Sequence, residues 1–238
     1  MRYEKKRMLA VHLLLAPWLV AAFARRGGFA AACSKTNPEM AYGGLPLTSK
    51  VERHGDGERF VPTQRVDEDE KPGFDPPYVI KPEYGRASRD VELTDSLPDD
   101  PDEPLLVQPY RDGIEYAINI DLTADEPVYS VIEIHPDGEL WTGEATYIDR
   151  SDQVTDDLIR ACVEASEDVD LQFGRLDVKA NTLNDLQRGD FDIVEVNGAL
   201  SVDLKCYETD TFPDTVQAIK DHWQRFFDAA TKGETQSE

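Results

Sequence analysis

The stretch FGRLDVKANTLNDLQRGDFDIVEVNG, residues 173–198, decides the fold of this 238-residue chain. Two short runs within it, 174–178 and 191–197, alternate apolar with polar residues, and a turn signal at 188–190 lies between them. Alternation with a period of two is typical of half-buried β-strands. We therefore predict two strands that pair as neighbours.

Four polar side chains on these strands suggest a site. Because successive side chains point to opposite faces, Arg175 and Asp177 share one face of the first strand, and Glu195 and Asn197 share one face of the second. If the two faces coincide, three oxygen ligands and one guanidinium converge. Such oxygens suit Mg²⁺ that substrate phosphates also hold, and the arginine suits phosphoryl or acyl oxygens. The alternative is the exposed face of an ordinary acidic hairpin.

The composition is strongly acidic. The chain has 48 acidic and 25 basic residues, a formal net charge of −23, and the excess acid is spread over the chain after about residue 50. This favours a soluble protein of a high-salt cytoplasm, where ions screen the repulsion between like charges. Since the sequence has no basic stripe, we expect no nucleic-acid partner. Cys33, Cys162 and Cys206 have no paired spacing, which favours reduced, partly buried thiols over a disulfide or zinc site.

An apolar run, residues 8–24, lies near the start of the chain, with basic residues at both ends: Arg2, Lys5, Lys6 and Arg7 before it, Arg25 and Arg26 after it. It is just short of the ~20 residues that a spanning helix needs. Three interpretations remain open: a membrane-surface or anchoring helix, a signal peptide, and a helix packed on the rest of the protein. We favour the first and third, because no small-residue cleavage site follows directly. We expect a cytoplasmic location, with residues 1–26 contacting the inner face of the membrane or a partner subunit.

The remaining segments predict a mixed architecture. Turn signals favour an ordered polar loop over residues 30–50, and residues 67–77 look like a solvated connection. Hydrophobic patterning predicts strands at 78–82, 105–110, 114–122 and 128–134, and helices at 152–167 and 214–230. We predict an N-terminal helix and loop (1–46), two subdomains (47–127 and 128–232) and a disordered tail (233–238).

Taken in order, these segments resemble an ATP-grasp domain of the carboxylate–amine ligase type over roughly residues 47–230. Lys50, and Lys81 within VIKP, stand where that family has its two nucleotide-binding lysines. Residues 85–88 resemble its loop over the phosphates, and VQPYRDGIE, residues 107–115, resembles its hinge and ribose segment. The R-x-D and E-x-N pairs of the opening stretch are the most specific part of the likeness.

The resemblance implies an α+β fold in which two α+β subdomains sandwich ATP, with the apolar helix in place of a full substrate domain. It implies ATP, one or two Mg²⁺ ions or Mn²⁺, and small-molecule carboxylate and amine substrates joined through an acyl phosphate. The implied nucleotide-binding residues are Lys50, Lys81, Gly85, Ser88, Gln108, Tyr110 and Glu115. The implied metal ligands are Asp177, Glu195 and Asn197, and the implied catalytic residue is Arg175.

A narrower likeness links the chain to an uncharacterised bacterial and archaeal ATP-grasp group with an N-terminal hydrophobic helix, through residues 36–44, 49–50 and 222–223. Two features depart from the ligase pattern. Fewer than 50 residues precede Lys50, so the acceptor pocket is minimal or is completed by a lipid, a second subunit or a partner. The strand at 128–134 has no lysine, so His135 or Arg150 would have to supply a further basic group. The alternative function is a nucleotide-binding remnant without ligase turnover.

Overall fold

The protein is described here by a computed structural model over residues 2–45, 48–66, 72–84, 91–98, 101–136, 145–209 and 211–236, with side chains described from residue 6 to residue 232. Two antiparallel β-sheets and a layer of three helices form an α+β architecture. Cys33, Cys162 and Cys206 are buried free thiols, as predicted.

The first sheet has four strands. They are β1 (Gln64–Arg65), β2 (Tyr78–Pro82), β3 (Glu92–Thr94) and β4 (Leu105–Pro109), in the order β1-β4-β2-β3. The apolar runs predicted the two central strands, β2 and β4, which pair antiparallel with Lys81 opposite Leu106. This register turns Lys81 and Gln108 toward the second sheet, where both make hydrogen bonds.

The second sheet has five strands. They are β5 (Ile114–Asp121), β6 (Val128–Pro136), β7 (Ala145–Asp149), β8 (Phe173–Ala180) and β9 (Asp192–Asn197), in the order β7-β6-β5-β8-β9. The boundary predicted between residues 127 and 128 separates β5 from β6, which are hydrogen-bonded neighbours. Sheet membership therefore changes earlier, at residues 110–113, because β5 is the central strand of the second sheet.

One face of the second sheet packs on two helices, α3 (Asp156–Glu167) and α4 (Leu183–Gln187). Leu158 and Cys162 of α3 join a core with Tyr116 and Leu176 of the sheet. Helix α3 begins later than the predicted residue 152 because the Thr155 hydroxyl caps it, accepting a hydrogen bond from the backbone N–H of Leu158.

Three helices form the remaining layer: α1 (Arg2–Ala24), α2 (Phe29–Thr36) and α5 (Phe212–Gln236). They share a core with Phe173 at the start of β8. The loop prediction for residues 30–50 was wrong over α2, a helix whose Ala32 and Cys33 are fully buried. The predicted tail was also wrong over residues 233–236, which continue α5.

Two of the interpretations left open for the apolar run can be compared with helix α1. It packs on α5 along one side, as expected for a helix docked on the rest of the protein. Within the described residues it is also the helix that is long and apolar enough to cross a membrane, with a mean hydropathy of 1.7 over Lys6–Ala24.

Candidate functional site

The two strands of the opening stretch pair as predicted. Strand β9 lies antiparallel to β8, with Asn197 opposite Arg175 and Glu195 opposite Asp177. Residues directly opposite in such a pair have side chains on the same face. The faces therefore coincide, and the four polar side chains come together as the period-two pattern required.

A cleft with a volume of about 90 Å³ lies between this face and the first sheet. Both sheets contribute polar side chains to its wall: Lys81, Gln108, Arg111, Glu115, Asp177, Lys179 and Glu195. Apolar side chains such as Val79 and Val91 also line it. A mostly apolar cleft with a few converging charged groups is the usual form of a nucleotide or small-molecule site.

Two side chains of the first sheet bind the same carbonyl oxygen of the second sheet, that of Val194 on β9. The ammonium of Lys81 donates to it at 3.0 Å, and the amide Nε2 of Gln108 donates to it at 3.1 Å. The same Gln108 amide donates to the hydroxyl of Thr63 at 2.6 Å. Two predicted nucleotide-binding side chains thus lie directly against the strand that carries Glu195.

Glu195 lies among cations. Burial would raise the pKa of Glu195, but Lys81, Lys50 and Arg53 lower it below its usual value. Lys50 is fixed by a hydrogen bond of 2.7 Å from its Nζ to the carbonyl oxygen of Pro82. Burial lowers the pKa of Lys50 and of Lys81, and the carboxylate of Glu195 opposes that effect in both. The two predicted lysines therefore surround the predicted metal ligand from the first-sheet side.

Arg53 is a site residue that the sequence did not reveal. Its side chain is buried, and its Nη1 donates to the carbonyl oxygen of Val196 at 3.3 Å. It stands in the run VERHG, which has no pattern that distinguishes it from a surface segment. Only the tertiary fold brings it beside Glu195.

Arg175 and Asp177 form a buried bidentate ion pair. The guanidinium Nε donates to Oδ1 of Asp177 at 2.6 Å and Nη2 donates to Oδ2 at 2.9 Å. The amide of Asn197 also donates to Oδ2, at 2.8 Å, and Nη1 of Arg175 donates to the carbonyl oxygen of Val202 at 3.3 Å. Burial raises the pKa of Asp177 and Glu195 raises it further, while Arg175 acts in the opposite direction. A cation that bound Asp177 would compete with these donors.

Glu115 is a buried carboxyl group of the cleft whose pKa is raised. Burial, and then the negative charge of Asp177, raise its pKa from 4.5 to about 7. Its nearest cation is Lys179, which lies opposite it in the sheet with Nζ 4.0 Å from Oε2. Lys179 was not predicted as a site residue, although the alternation of Arg175, Asp177 and Lys179 on one face of β8 would have indicated it.

The further basic group was predicted in the wrong place. His135 and Arg150 both bind Glu133, at 2.5 Å and 2.8 Å. Glu133 lies opposite Tyr116, whose ring packs in the core on the α3 side, so this cluster is on the other face of the sheet. Lys179 is an additional cation on the cleft face.

The remaining predicted residues lie on the hinge and the phosphate loop. The backbone N–H of Tyr110 donates to the carbonyl oxygen of Pro77 at 2.9 Å, so an adenine contact through that N–H requires this bond to open. Gly85 and Ser88 lie outside the described residues.

The donor set fits a magnesium ion that shares its coordination shell with phosphates. The described residues contain no cluster of three or more His, Cys, Asp or Glu side chains with metal-ligand spacing. What they bring together is two facing carboxylates, Asp177 and Glu195, and the amide of Asn197. Mg²⁺ in nucleotide sites is held by one or two carboxylates, with substrate phosphates and water completing the octahedron. Burial raises the pKa of Asp177, and the carboxylate of Glu195 raises it further. A cation bound beside these two side chains would favour their ionised forms.

Comparison with known proteins gives structural matches but no sequence match. No protein-family model matches the chain, and no curated protein matches its sequence. The chain is similar in structure to a D-alanine–D-alanine ligase from Bacillus anthracis complexed with ATP (16% identity, TM-score 0.43), covering 75% of this chain and 61% of that one. It is also similar to the ATP-grasp ligase PsnB complexed with a minimal precursor, Mg and ADP (16%, TM-score 0.44, 70% and 54%). An L-amino acid ligase from Bacillus licheniformis is a third match (15%, TM-score 0.42, 81% and 46%). The chain spans less than two thirds of the length of each of these similar structures.

Proposed function

We propose that this protein is an ATP- and Mg²⁺-dependent ligase that joins a carboxylate to an amine or a related nucleophile. The observation that carries the proposal is the register of β8 and β9, which sets Arg175 and Asp177 opposite Asn197 and Glu195 on the wall of a cleft. This is the arrangement that the R-x-D and E-x-N pairs suggested, with a lysine and a glutamine of the first sheet facing it.

The nucleotide lies in the cleft between the sheets in this proposal. Lys50 and Lys81 neutralise the phosphates, since both ammonium groups lie beside Glu195 in a low-dielectric setting where point charges interact strongly. Glu115 accepts hydrogen bonds from the ribose hydroxyls, Gln108 and the Tyr110 backbone face the adenine, and the loop with Gly85 and Ser88 covers the phosphates.

One or two Mg²⁺ ions, or Mn²⁺ in their place, would be held by Asp177, Glu195 and Asn197. Bound there, a divalent ion supplies charge neutralisation between the β- and γ-phosphates. The protein side chains would bind and orient the metal ion and the phosphates, and they transfer no proton in this step.

The chemistry proceeds in two displacements. A carboxylate oxygen of the acid attacks the γ-phosphorus of ATP, the bond to the bridging oxygen breaks, and ADP leaves. The amine nitrogen then attacks the acyl carbon, the bond to the phosphate oxygen breaks, and inorganic phosphate leaves as the amine loses a proton. Arg175 stabilises the acyl phosphate and the oxyanion that follows, since its guanidinium has five N–H donors and the described contacts of this side chain use three.

A second candidate is a nucleotide-binding module without turnover. This alternative is favoured by hydrogen bonds that already occupy the groups of the site. Lys81 and Gln108 donate to the carbonyl oxygen of Val194, and Asp177 accepts from Arg175 and Asn197. In this alternative, binding of Mg-ATP separates the sheets without leading to ligation.

ATP consumption distinguishes the candidates. The purified chain is incubated with Mg-ATP and with pairs of amino acids, small peptides and dicarboxylates, and release of phosphate, ADP and AMP is measured. Phosphate and ADP released only with a specific acid and nucleophile support the ligase. Tight ATP binding without turnover for any pair supports the binding module, and transfer of phosphate to a stable phosphorylated product would indicate a kinase-like acceptor.

A double variant, Asp177→Asn with Glu195→Gln, tests the metal ligands. We expect it to lose the Mg²⁺ dependence of ATP binding. Glu133→Gln is the matched control, because Glu133 is a buried carboxylate of the same sheet that lies on the opposite face. If the double variant retained full Mg²⁺-dependent binding, the assignment of these residues would be wrong.

A further inference from the structure

Helix α1 has two apolar faces, and the protein covers one of them. Val11 and Ala22 on the inner face are buried. The rings of Trp18 and Phe23 pack edge-on against Phe227 of α5, with centroid distances of 5.6 Å and 5.0 Å. This face is part of the protein core, and the helix is docked along most of its length.

The outer face of α1, defined by Leu9, Leu13, Leu14 and Val20, is exposed. The exposed fractions of these residues are 61%, 66%, 60% and 68%. Helical spacing places Leu9, Leu13 and Val20 on one side of the helix, and Leu14 lies about 100° round from Leu13, at the far edge of the exposed surface. A helix that is apolar all round is normally buried on all sides. Water is therefore an unfavourable neighbour for this face, and a contiguous apolar surface of this kind marks a docking site.

The charges at the two ends of α1 indicate what kind of partner covers its outer face. Residues 1–26 contain six basic residues and one acidic residue, a formal charge of +5, whereas the rest of the chain carries −28, which gives the total of −23. The basic residues stand at both ends of the apolar run, before residue 8 and after residue 24. Cations that flank an apolar helix face match a surface of anionic headgroups over acyl chains.

The packing of α1 on α5 also determines which face of α1 can contact a membrane. A spanning helix would have to leave α5 and expose Phe226 and Phe227, which are 0% and 1% exposed. The C-terminal end of α1 is fastened as well, because Arg26 donates to the carbonyl oxygen of Phe227 at 3.2 Å and its guanidinium lies 4.6 Å from the centroid of that ring. Since the inner face stays on the protein, only the outer face is available to a membrane.

We propose that α1 lies in the plane of a membrane surface that contains anionic lipids, with Leu9, Leu13, Leu14 and Val20 inserted at the boundary between headgroups and acyl chains. Strand β8, which carries Arg175 and Asp177, then has a fixed position relative to the bilayer. Asn37, at the end of α2, donates to the carbonyl oxygen of Phe173 at 2.9 Å, and Phe173 lies two residues before Arg175 on β8.

Vesicle sedimentation of the full chain tests this proposal. The wild type is compared with a Leu13→Gln, Val20→Gln variant and with Phe212→Gln, a matched control that changes an exposed apolar residue at the start of α5. We expect wild type and control to bind vesicles of phosphatidylcholine mixed with phosphatidylglycerol, and to bind vesicles of phosphatidylcholine alone more weakly. The double variant should bind the mixed vesicles at least about tenfold more weakly, because two side chains lose their burial.

Several outcomes would overturn the proposal. One is the absence of wild-type binding to the mixed vesicles, and another is equal binding by the double variant. A third is a dimer, seen by sedimentation equilibrium without lipid, that the double variant dissociates while neither protein binds vesicles; the outer face would then be a subunit interface. Far-ultraviolet circular dichroism of the variants establishes that the substitutions leave the helices folded, as expected for exposed positions.

Discussion

Replacing Glu115 with glutamine should make the protein more stable at neutral pH and a weaker binder of ATP. Glu115 is a buried carboxyl group of the cleft whose pKa is raised by desolvation and by the nearby charge of Asp177. Glutamine has nearly the same shape and carries no charge. The substitution therefore removes the unfavourable charge and leaves the packing of β5 in place.

The magnitude follows from the pKa values of the two states. The pKa of Glu115 is 4.5 in the unfolded reference and about 7 in the folded protein, so folding favours its protonated form. Below pH 4.5 the carboxyl is protonated in both states and has no effect on stability. Between pH 4.5 and pH 7 the folded state is progressively destabilised, by up to about 1.4 kcal/mol for each pH unit, and above pH 7 the cost is constant at roughly 3 kcal/mol.

Urea denaturation at constant high KCl measures the effect. The free energy of unfolding of Glu115→Gln minus that of the wild type should increase by roughly 2 to 3 kcal/mol between pH 5 and pH 8. Glu133→Gln is the control, and its difference in unfolding free energy from the wild type should change with pH in the opposite direction. Burial would raise the pKa of Glu133, but Arg150 and His135 hold it below its usual value, so its charge stabilises the protein at neutral pH and that stabilisation is lost in acid.

The same variant reports on the nucleotide site. If Glu115 accepts hydrogen bonds from the ribose, the loss of its charge should weaken Mg-ATP binding by about tenfold or more, as is typical of a charge-assisted hydrogen bond. Higher stability together with weaker binding would show that the charge of Glu115 lowers the stability of the folded protein and increases its affinity for ATP. A stability difference that stays constant from pH 5 to pH 8 would refute the reasoning about burial, and unchanged ATP affinity would refute the ribose assignment.

Three further predictions address other parts of the protein. Arg175→Lys should lower the rate of ATP-dependent ligation by about a hundredfold, or ~3 kcal/mol of barrier, with little change in the Kd for ATP, because lysine keeps the charge and loses the bidentate fork; initial rates and calorimetric titration measure both. Asn37→Ala should reduce the free energy of unfolding in urea by about 3 kcal/mol, because the fully buried amide bonds the backbone of Gln172, Phe173 and Gly43 and its removal leaves those groups unpaired. The Tm should rise steadily from low to multimolar KCl, since the formal charge is −23; an equal Tm in both would contradict the high-salt interpretation.

The part of the site that was predictable lies on two strands. A period of two fixes which side chains share a face, and a short connection fixes which strand is the neighbour. Arg175, Asp177, Glu195 and Asn197 could therefore be grouped from their spacing in the sequence, and the register of β8 and β9 confirmed the grouping. The same reasoning, extended by one more step along β8, would have included Lys179.

The parts that were not predictable depend on contacts between distant segments. Helix α2 has only eight residues, too few to show a helical period, and its end is held by Asn37 bonding to Phe173, 136 residues away. Arg53 reaches Val196, 143 residues away. The pairing of β5 with β8 placed the change of sheet at residues 110–113, because strand order in a sheet is a tertiary property that strand patterning does not specify.

Strand β8 also shows where an acceptor must approach. Phe173, Arg175 and Asp177 are successive residues of one face. Phe173 packs with α5, its ring centroid 5.8 Å from that of Phe226, whereas Asp177 lines the cleft. Arg175 therefore lies between the helical layer and the proposed nucleotide site, where, in the proposed ligase, the acid and the amine would meet the γ-phosphate.

The segment around Asp203 closes this position. Val202 accepts a hydrogen bond from Arg175, and the Asp203 carboxylate accepts from Ser130 at 2.8 Å and from Asn119 at 3.1 Å. Asn119 lies directly opposite Arg175 in the sheet, so the segment is pinned over the arginine. An acid that reached Arg175 would have to displace the Val202 contact or enter from the cleft beside Asp177. In the proposed ligase, the acceptor site is therefore bordered by the helical layer and by residues 201–203, at the place where they meet β8.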